Sequence, residues 1–328
     1  MGKKPNPWTR WSASKLGLLQ KCPKSFEFEY VLGMRGTVKQ NIPKVFGGAI
    51  HHMFDTFFSL PHGYKSLKKF IGTWIYYWLT YIPQEKYKDK LRIKKPEDMQ
   101  IYLAIGIDLL KKFYYENIPY RTGEKPMPLV EETFNLRFKG HRINGKIDRI
   151  QPVENNEIEI WDYKTGYTKP KEEELALDIQ FTIYNLAWYK KTGKSPVKMR
   201  LVHLFSGEQF YVPIRTESDY IQLGYWLDEA RIYIQNILDP WHREWKDFPF
   251  RWFNPEDIER GYFPKRPSFF CSLCDYRGLC QESNPRDELR ERWIKQELKR
   301  TGPYPAHIQF ALQFPKKKLS LSKTKSPR

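Results

Sequence analysis

The sequence predicts an α/β (α+β) fold in which helices flank a strand-rich centre. Three observations support this class. Apolar residues recur at helical spacing up to about residue 117 and again after residue 172. Between Leu129 and about Gly166 the spacing changes to two, with β-branched residues and turn-forming pairs. The chain of 328 residues is 40% hydrophobic and 16% aromatic, which is typical of a globular protein.

The N-terminal part of the chain is predicted to be helical. The first helical segment spans about 11–32, with Ser12 or Ser14 as its N-cap, and Pro23 is expected to interrupt it. The second is amphipathic, with an apolar stripe formed by Ile50, Met53, Phe54, Phe57 and Phe58. Two further stretches rich in Trp, Tyr and Phe are also predicted to be helices, at about 66–82 and 98–117.

The centre is predicted to contain three antiparallel strands, separated by turns at Lys139-Gly140 and Asn155-Asn156. A helix, two short strands and a long helix are expected next, at about 172–191, 197–205, 209–214 and 218–238. After a loop region with Pro and Gly, Asn284-Pro285 is expected to begin a charged helix that ends near Arg300. Residues 316–328 carry only positive charge, which predicts a basic disordered tail.

Four cysteines form the most informative pattern in the chain. Cys271, Cys274 and Cys280 are spaced C-x2-C-x5-C, and Cys22 is the only other thiol. Closely spaced thiolates can converge on an iron–sulfur cluster or a tetrahedral zinc ion, for which Cys22 could supply the fourth ligand. The alternatives are that Cys22 is a small buried residue, or that the cysteines form disulfides.

Charge and hydropathy narrow the classes of partner. Fifty-six Lys and Arg against 38 Asp and Glu give a net charge of +18, which favours a polyanion such as nucleic acid over a membrane surface. No apolar run reaches about 18 residues, so no transmembrane helix is expected. The chain begins Met1-Gly2-Lys3-Lys4 without a following apolar run. We therefore expect no signal peptide and a reducing, cytoplasmic location.

Charged residues at the end of a predicted buried strand are the main candidates for chemistry. Strand alternation places Ile158, Ile160, Asp162 and Lys164 on one face, so a carboxylate and an ammonium follow two core residues. Asp148 lies on the neighbouring predicted strand. These charges could form a structural salt bridge. Alternatively, the two aspartates could share a divalent cation, because Mg²⁺ prefers oxygen ligands.

Several sequence blocks together resemble the RecB-like branch of the PD-(D/E)XK nuclease superfamily. Five blocks match in the expected order, at residues 12–26, 47–51, 145–150, 162–166 and 180–184. They correspond to the N-terminal block, the G-x-x-x-H helix, G-x-x-D-R-I, D-Y-K-T-G and Q-x-x-x-Y. The match covers about 12–280. Ile147 stands where the superfamily name has Pro, and Asp162 replaces the more frequent Glu, but both changes are usual in this branch.

The resemblance implies a restriction-endonuclease-like fold with a mixed central sheet flanked by helices. It also assigns roles to individual residues. Lys164 would be the catalytic base or a charge stabiliser, and Gln180 and Tyr184 would position DNA. The groups that would bind Mg²⁺ or Mn²⁺ are His51, the catalytic carboxylates Asp148 and Asp162, and the main-chain carbonyl of Tyr163.

The four-cysteine pattern resembles the iron–sulfur subset of this branch, which includes the AddB nuclease domain and CRISPR-associated exonucleases. The resemblance implies a [4Fe–4S] cluster, with zinc as the alternative, bound by Cys22, Cys271, Cys274 and Cys280. This site would join the N- and C-terminal segments. Residues 1–315 would form a single nuclease domain made of a helical region (12–128), a catalytic core (129–240) and a cluster-bearing region (241–300).

The implied function is that of a metal-dependent deoxyribonuclease. The resemblance suggests an exonuclease that acts on DNA ends or single strands in recombination, repair or replication, with a possible helicase or recombination partner. The alternative is a catalytically silent DNA-binding or assembly subunit on the same scaffold. Because no position of the expected active site is degraded, the sequence favours the enzyme. No G-x-x-x-x-G-K-[ST] loop is present, so ATP use is not expected.

Overall fold

The computed structural model describes residues 7–34, 38–59, 66–88, 90–93, 95, 97–238 and 263–280. The charged helix predicted from Asn284 and the basic tail predicted from Lys316 lie outside these residues. None of the helices within the described ranges is long and apolar enough to span a lipid bilayer.

The N-terminal segment folds as short helical pieces. Ser12 caps the first helix by accepting a hydrogen bond from the amide of Lys15. Pro23 cannot continue that helix, and the extended backbone of Cys22 (φ −158°) separates it from the next, as the sequence predicted. The elements are β1 (Arg10–Trp11), α1 (Ala13–Lys21), α2 (Pro23–Phe26) and a π-helical turn (Glu27–Val31).

Three longer helices form an aromatic layer on one face of the sheet. The predicted stripe of the second helix is confirmed, because all five of its members are buried. They pack with Trp74, Trp78 and Phe113 in the largest hydrophobic cluster. The elements are β2 (Gln40–Asn41), α3 (Ile42–Ser59), α4 (Leu67–Tyr76) continuing as π-helical turns (Tyr77–Lys86), β3 (Leu91–Arg92) and α5 (Glu97–Arg121).

A mixed sheet forms the centre of the protein. Its strands are β4 (Leu129–Phe138), β5 (His141–Pro152), β6 (Ile158–Lys164), β7 (Lys198–His203) and β8 (Glu208–Val212). Neighbours pair in that order, and β6 and β7 alone of these five run parallel; the short β1 pairs in parallel with the start of β5. The β4–β5 turn is tight because Lys139 and Gly140 both adopt positive φ, 44° and 79°. The predicted central sheet flanked by helices is confirmed.

The second face of the sheet is covered by α6 (Glu172–Ala176), α7 (Ile179–Thr192) and α8 (Glu217–Leu238). The sequence predicted one helix over 172–191, but the structure has two. The first piece ends at Ala176, and Asp178 caps the second, because its side chain accepts a hydrogen bond from the amide of Phe181. Helices α6 and α7 form the crossover that a parallel β6–β7 pair requires.

The segment 263–280 packs against the N-terminal helices. Arg266 donates a hydrogen bond of 2.7 Å to the carbonyl of Gln20, at the end of α1. Asp275 accepts hydrogen bonds from the main-chain and side-chain amides of Asn41 and pairs with the Lys44 ammonium at 2.7 Å. The N-terminal and C-terminal parts of the described chain are therefore held together by side chains of this chain.

Candidate active site

The end of strand β6 brings three expected residues of the site together. Strands β5 and β6 are antiparallel, with Arg149 opposite Trp161, so Asp148 lies beside the next residues of β6. A carboxylate oxygen of Asp148 accepts a hydrogen bond of 2.9 Å from the amide of Tyr163. The two aspartates and Lys164 therefore share one corner of the sheet.

Helix α3 contributes His51 to the same corner. Its Nε2 lies 3.0 Å from the carbonyl oxygen of Tyr163, and its Nδ1 lies 3.4 Å from Oδ1 of Asp148. The neighbouring His52 instead stacks on Tyr77, with ring centroids 4.6 Å apart. Of the two adjacent histidines, His51 is the one that faces the strand.

Helix α7 completes a hydrogen-bond network around Lys164. The ammonium lies 2.9 Å from Oδ2 of Asp162 and donates a hydrogen bond of 2.8 Å to the side-chain carbonyl of Gln180. The Gln180 amide donates to Oδ1 of Asp162 at 2.9 Å and to the Tyr184 hydroxyl at 2.5 Å. Gln180 and Tyr184 are one helical turn apart, so a single face of α7 orients both charged groups.

Burial sets the electrostatics of this corner. It raises the pKa of Asp162 to about 7; Lys164 opposes the rise and Asp148 adds to it. Burial acts to raise the pKa of Asp148 as well, but His51 and the Tyr163 amide outweigh it and lower that pKa. For Lys164, burial acts to lower the pKa, yet the two aspartates raise it above the usual value. A further cation near Asp162 would therefore stabilise its charged form.

The residues present fit a hard divalent cation. Asp162 is 1% exposed, and its Oδ2 pairs with the Lys164 ammonium at 2.9 Å. Burial of this charge is costly, and a bound cation would offset that cost in addition to Lys164. Two carboxylates, a main-chain carbonyl and an imidazole form a suitable donor set for Mg²⁺ or Mn²⁺.

Glu131 on β4 is a candidate site residue that the sequence analysis missed. Its carboxylate lies 4.0 Å from Nδ1 of His51 and forms an ion pair with Lys146. Ligand atoms of Glu131, His51 and Asp148 all lie within 4.8 Å of one another. Only the strand register reveals this residue, because Val130 pairs with Arg149 and leaves Glu131 beside Asp148.

The cysteine-bearing segment lies close to Cys22 and its helix. Cys274 Sγ is 3.5 Å from the Ser25 hydroxyl, just beyond Cys22 in sequence. Burial lowers the pKa of Lys21, and the nearby thiols of Cys274, Cys22 and Cys271 partly oppose that shift. All four cysteines are half-buried free thiols. Among the described residues, no three cysteine sulfurs lie within 4.8 Å of one another.

A cleft of about 960 Å³ connects the cysteine-bearing segment with the corner of the sheet. Its walls include Cys22, Cys271 and Cys274 at one end and Lys164 at the other. A second cleft, of about 720 Å³, also reaches Lys164 and is lined by Gln180 and Tyr184. Lys164 therefore lies where two solvent-accessible clefts meet.

Known proteins resemble this chain in sequence or in structure. The family model of the PD-(D/E)XK nuclease superfamily matches residues 10–281. The Gene 69 protein of Mycobacterium phage L5 is 31% identical over 94 residues, which are 29% of this chain and 30% of that protein. The chain thus spans about a third of the length of this relative.

Two solved structures are similar at 12% sequence identity. SSO0001 has a TM-score of 0.35, with 86% of this chain and 88% of that chain covered. A protein named "Putative exonuclease" from Eubacterium rectale has a TM-score of 0.41, with 85% and 90% covered. The assignment rests on the family model, which covers most of the chain, and the mixed sheet flanked by helices agrees with the restriction-endonuclease-like fold. This chain belongs to the PD-(D/E)XK nuclease superfamily.

Proposed function

We propose that this protein is a metal-dependent deoxyribonuclease that hydrolyses phosphodiester bonds at DNA ends or in single strands. The observation that carries the proposal is the position of Asp162, which is buried beside Asp148 and 2.9 Å from the Lys164 ammonium. A purely structural salt bridge would need neither a second aspartate nor a histidine at the same corner. Membership of a nuclease superfamily supports a nucleic-acid substrate.

The side chains divide the chemistry between them. His51, Asp148, Asp162 and the Tyr163 carbonyl would hold Mg²⁺ or Mn²⁺, which polarises a phosphodiester and acidifies a water when bound. Lys164 is oriented by Asp162 and Gln180. With its pKa raised by the two aspartates, Lys164 is an ammonium that can stabilise charge on the phosphate. A cation held by those aspartates would lower this pKa and would let the neutral amine deprotonate the attacking water.

We further propose that Gln180 and Tyr184 position the DNA strand. Both line the second cleft and contact the network around Lys164. A hydrogen bond from this pair to the sugar–phosphate backbone would fix the scissile phosphate against the aspartates, and orientation of this kind lowers the reaction barrier. The net charge of +18 favours DNA association more generally.

A structural [4Fe–4S] cluster bound by Cys22, Cys271, Cys274 and Cys280 is part of the proposal. A tetrahedral zinc ion, with Zn–S bonds of about 2.3 Å, holds its sulfurs roughly 4 Å apart. Zinc bound by the same four thiolates is the alternative. Free thiols in a reducing, cytoplasmic compartment would suit this assignment. The cluster would reinforce the contacts between the N-terminal helices and the segment 263–280.

The proposed pathway is recombination, repair or replication, in which a helicase or recombination partner would supply DNA ends. Polarity and substrate can be tested together. Protein purified without oxygen is incubated with end-labelled linear and circular strands in Mg²⁺ or Mn²⁺, with and without a chelator. We expect metal-dependent cleavage of linear single strands. Binding without turnover in any metal would instead indicate a silent DNA-binding subunit.

Single-residue variants test the roles proposed for Asp162 and Lys164. We expect Asp162→Ala and Lys164→Ala to bind DNA normally and to lose cleavage, because neither side chain is needed to hold the strand. Lys190→Ala is the matched control, since Lys190 is an exposed lysine on α7. Equal loss of binding and cleavage in a folded variant would contradict the assigned roles.

A further inference from the structure

Three aromatic rings form a column that leads from the core to the cleft beside Lys164. Phe46 and Phe205 have ring centroids 6.3 Å apart and planes 13° apart. The ring centroids of Phe205 and Tyr167 are closer, at 5.0 Å, and their planes are nearly parallel, at 3°. Phe46 is 1% exposed and Phe205 8%, whereas Tyr167 is 36% exposed. Tyr167 is therefore the accessible end of a preformed stack.

The orientation of the Tyr167 ring is fixed from two sides. Its hydroxyl lies 2.7 Å from the hydroxyl of Tyr102, which is itself mostly buried. The preceding residue is held as well, because Nε2 of His203 donates a hydrogen bond of 2.6 Å to the carbonyl of Gly166. With one ring face on Phe205 and the hydroxyl held, the 36% of Tyr167 that is exposed is the part that a ligand can contact.

Tyr167 is close to the reacting centre. It follows Lys164 by three residues, so their Cα atoms are at most about 11 Å apart. Both residues line the same cleft of about 960 Å³. Five basic side chains in this cleft are offset by four acidic ones. The lining therefore carries little net charge, and a contact with a base would add to the attraction of phosphates.

We propose that Tyr167 is a base-stacking platform for a single DNA strand, one or two nucleotides from the scissile phosphate. This inference rests on the proposed function. A base that stacks on Tyr167 would extend the column formed with Phe205 and Phe46. Base–aromatic stacking is sequence-tolerant, because every base has a π-face. Tyr167 would thus act as a positioning residue that selects unpaired over paired nucleotides.

The test uses the full chain and single-stranded oligonucleotides in which one 2-aminopurine is moved along the strand. Fluorescence and affinity are measured in Ca²⁺, without turnover. We expect quenching at one position, which Tyr167→Ala abolishes while weakening binding about 5- to 150-fold. Tyr167→Phe should retain both signals, because the ring remains. Tyr225→Ala, which removes another exposed tyrosine, is the matched control.

An abasic strand separates stacking from a structural role. If Tyr167 stacks on a base, removal of that base should weaken wild-type binding and leave Tyr167→Ala unchanged. An equal effect of Tyr167→Ala on intact and abasic strands would overturn the inference, as would unchanged affinity. Tyr167→Leu still covers Phe205 but has no ring, so it shows whether weaker binding by Tyr167→Ala comes from lost stacking or from misfolding. Quenching without cleavage in any metal would overturn the nuclease proposal alone, and cleavage without quenching would overturn only the stacking inference.

Discussion

Nε2 of His51 lies 3.0 Å from the main-chain carbonyl oxygen of Tyr163. This contact joins helix α3 to the strand that carries Asp162 and Lys164. Two ligands of an octahedral cation with bonds of about 2.1 Å lie roughly 3 Å apart when they are adjacent. The spacing of these two atoms is therefore suitable for a shared cation, although the two residues are 112 positions apart in the sequence.

The first prediction concerns His51. We expect His51→Ala to weaken Mn²⁺ binding and slow cleavage by at least about tenfold, because a ligand is lost. Calorimetric titration and cleavage rates on the same preparation give both values. His52→Ala is the matched control, since His52 stacks on Tyr77 away from the strand. Similar losses in the two variants would contradict a specific role for His51.

The second prediction concerns Glu131. Its carboxylate lies 4.0 Å from Nδ1 of His51, where it can fix the orientation of the imidazole. We expect Glu131→Gln to weaken Mn²⁺ binding about tenfold without lowering the free energy of unfolding to a similar degree. Glu132→Gln is the control, because Glu132 pairs with Lys191 at 2.6 Å. If the two variants bind Mn²⁺ as the wild type does, Glu131 has no part in the site.

The third prediction concerns Asp275, which joins the segment 263–280 to β2 and α3. This side chain, 6% exposed, pairs with Lys44 and accepts hydrogen bonds from Asn41. We expect Asp275→Ala to lower the free energy of unfolding by about 1–3 kcal/mol, because buried donors lose their acceptor. Urea unfolding of this variant and of Glu157→Ala, an exposed control, measures the difference. Equal free energies of unfolding in the two variants would show that these contacts of Asp275 contribute nothing to stability.

The fourth prediction concerns pH and Asp228. A hydrogen bond from His141 lowers the pKa of Asp228, whose Oδ1 lies 3.0 Å from the imidazole. The bond therefore stabilises the fold above the unfolded-state pKa and is lost as the pH falls through the folded-state pKa. Because the Asp228 side chain is 38% exposed, Asp228→Asn should cost at most about 1 kcal/mol near pH 7.

Thermal unfolding between pH 3 and 7 measures this effect. The difference in stability between wild type and Asp228→Asn should shrink toward acid pH. A difference that is constant over this range would mean that the carboxylate charge is not what stabilises the contact.

Local pattern was sufficient to predict the strand that carries the site. Alternation along β6 placed Ile158 and Ile160 toward the core, and both pack against α7 in one cluster. The same alternation placed Asp162 and Lys164 on the face that Gln180 contacts. The hairpin turn at Lys139-Gly140 was readable because tight turns of this kind favour Gly.

Long-range packing was not readable from local pattern. Glu131 is next to another glutamate in the sequence, and only the β4–β5 register distinguishes the two. The break between α6 and α7 depends on the Asp178 cap, which was hidden within a helical pattern. The stack of Phe46, Phe205 and Tyr167 joins residues far apart in the chain, and no periodicity of one segment encodes such a contact.

The most direct test of the central claim is the rate of Mn²⁺-dependent cleavage of an end-labelled single strand by wild type and Asp162→Asn, with DNA affinity measured in parallel. Asparagine keeps the size of the side chain and removes its charge. The account predicts cleavage by the wild type and a loss of at least about 100-fold in the variant, which a lost ligand and a misplaced Lys164 together explain. DNA affinity should be unchanged. Cleavage by Asp162→Asn at the wild-type rate would contradict the account.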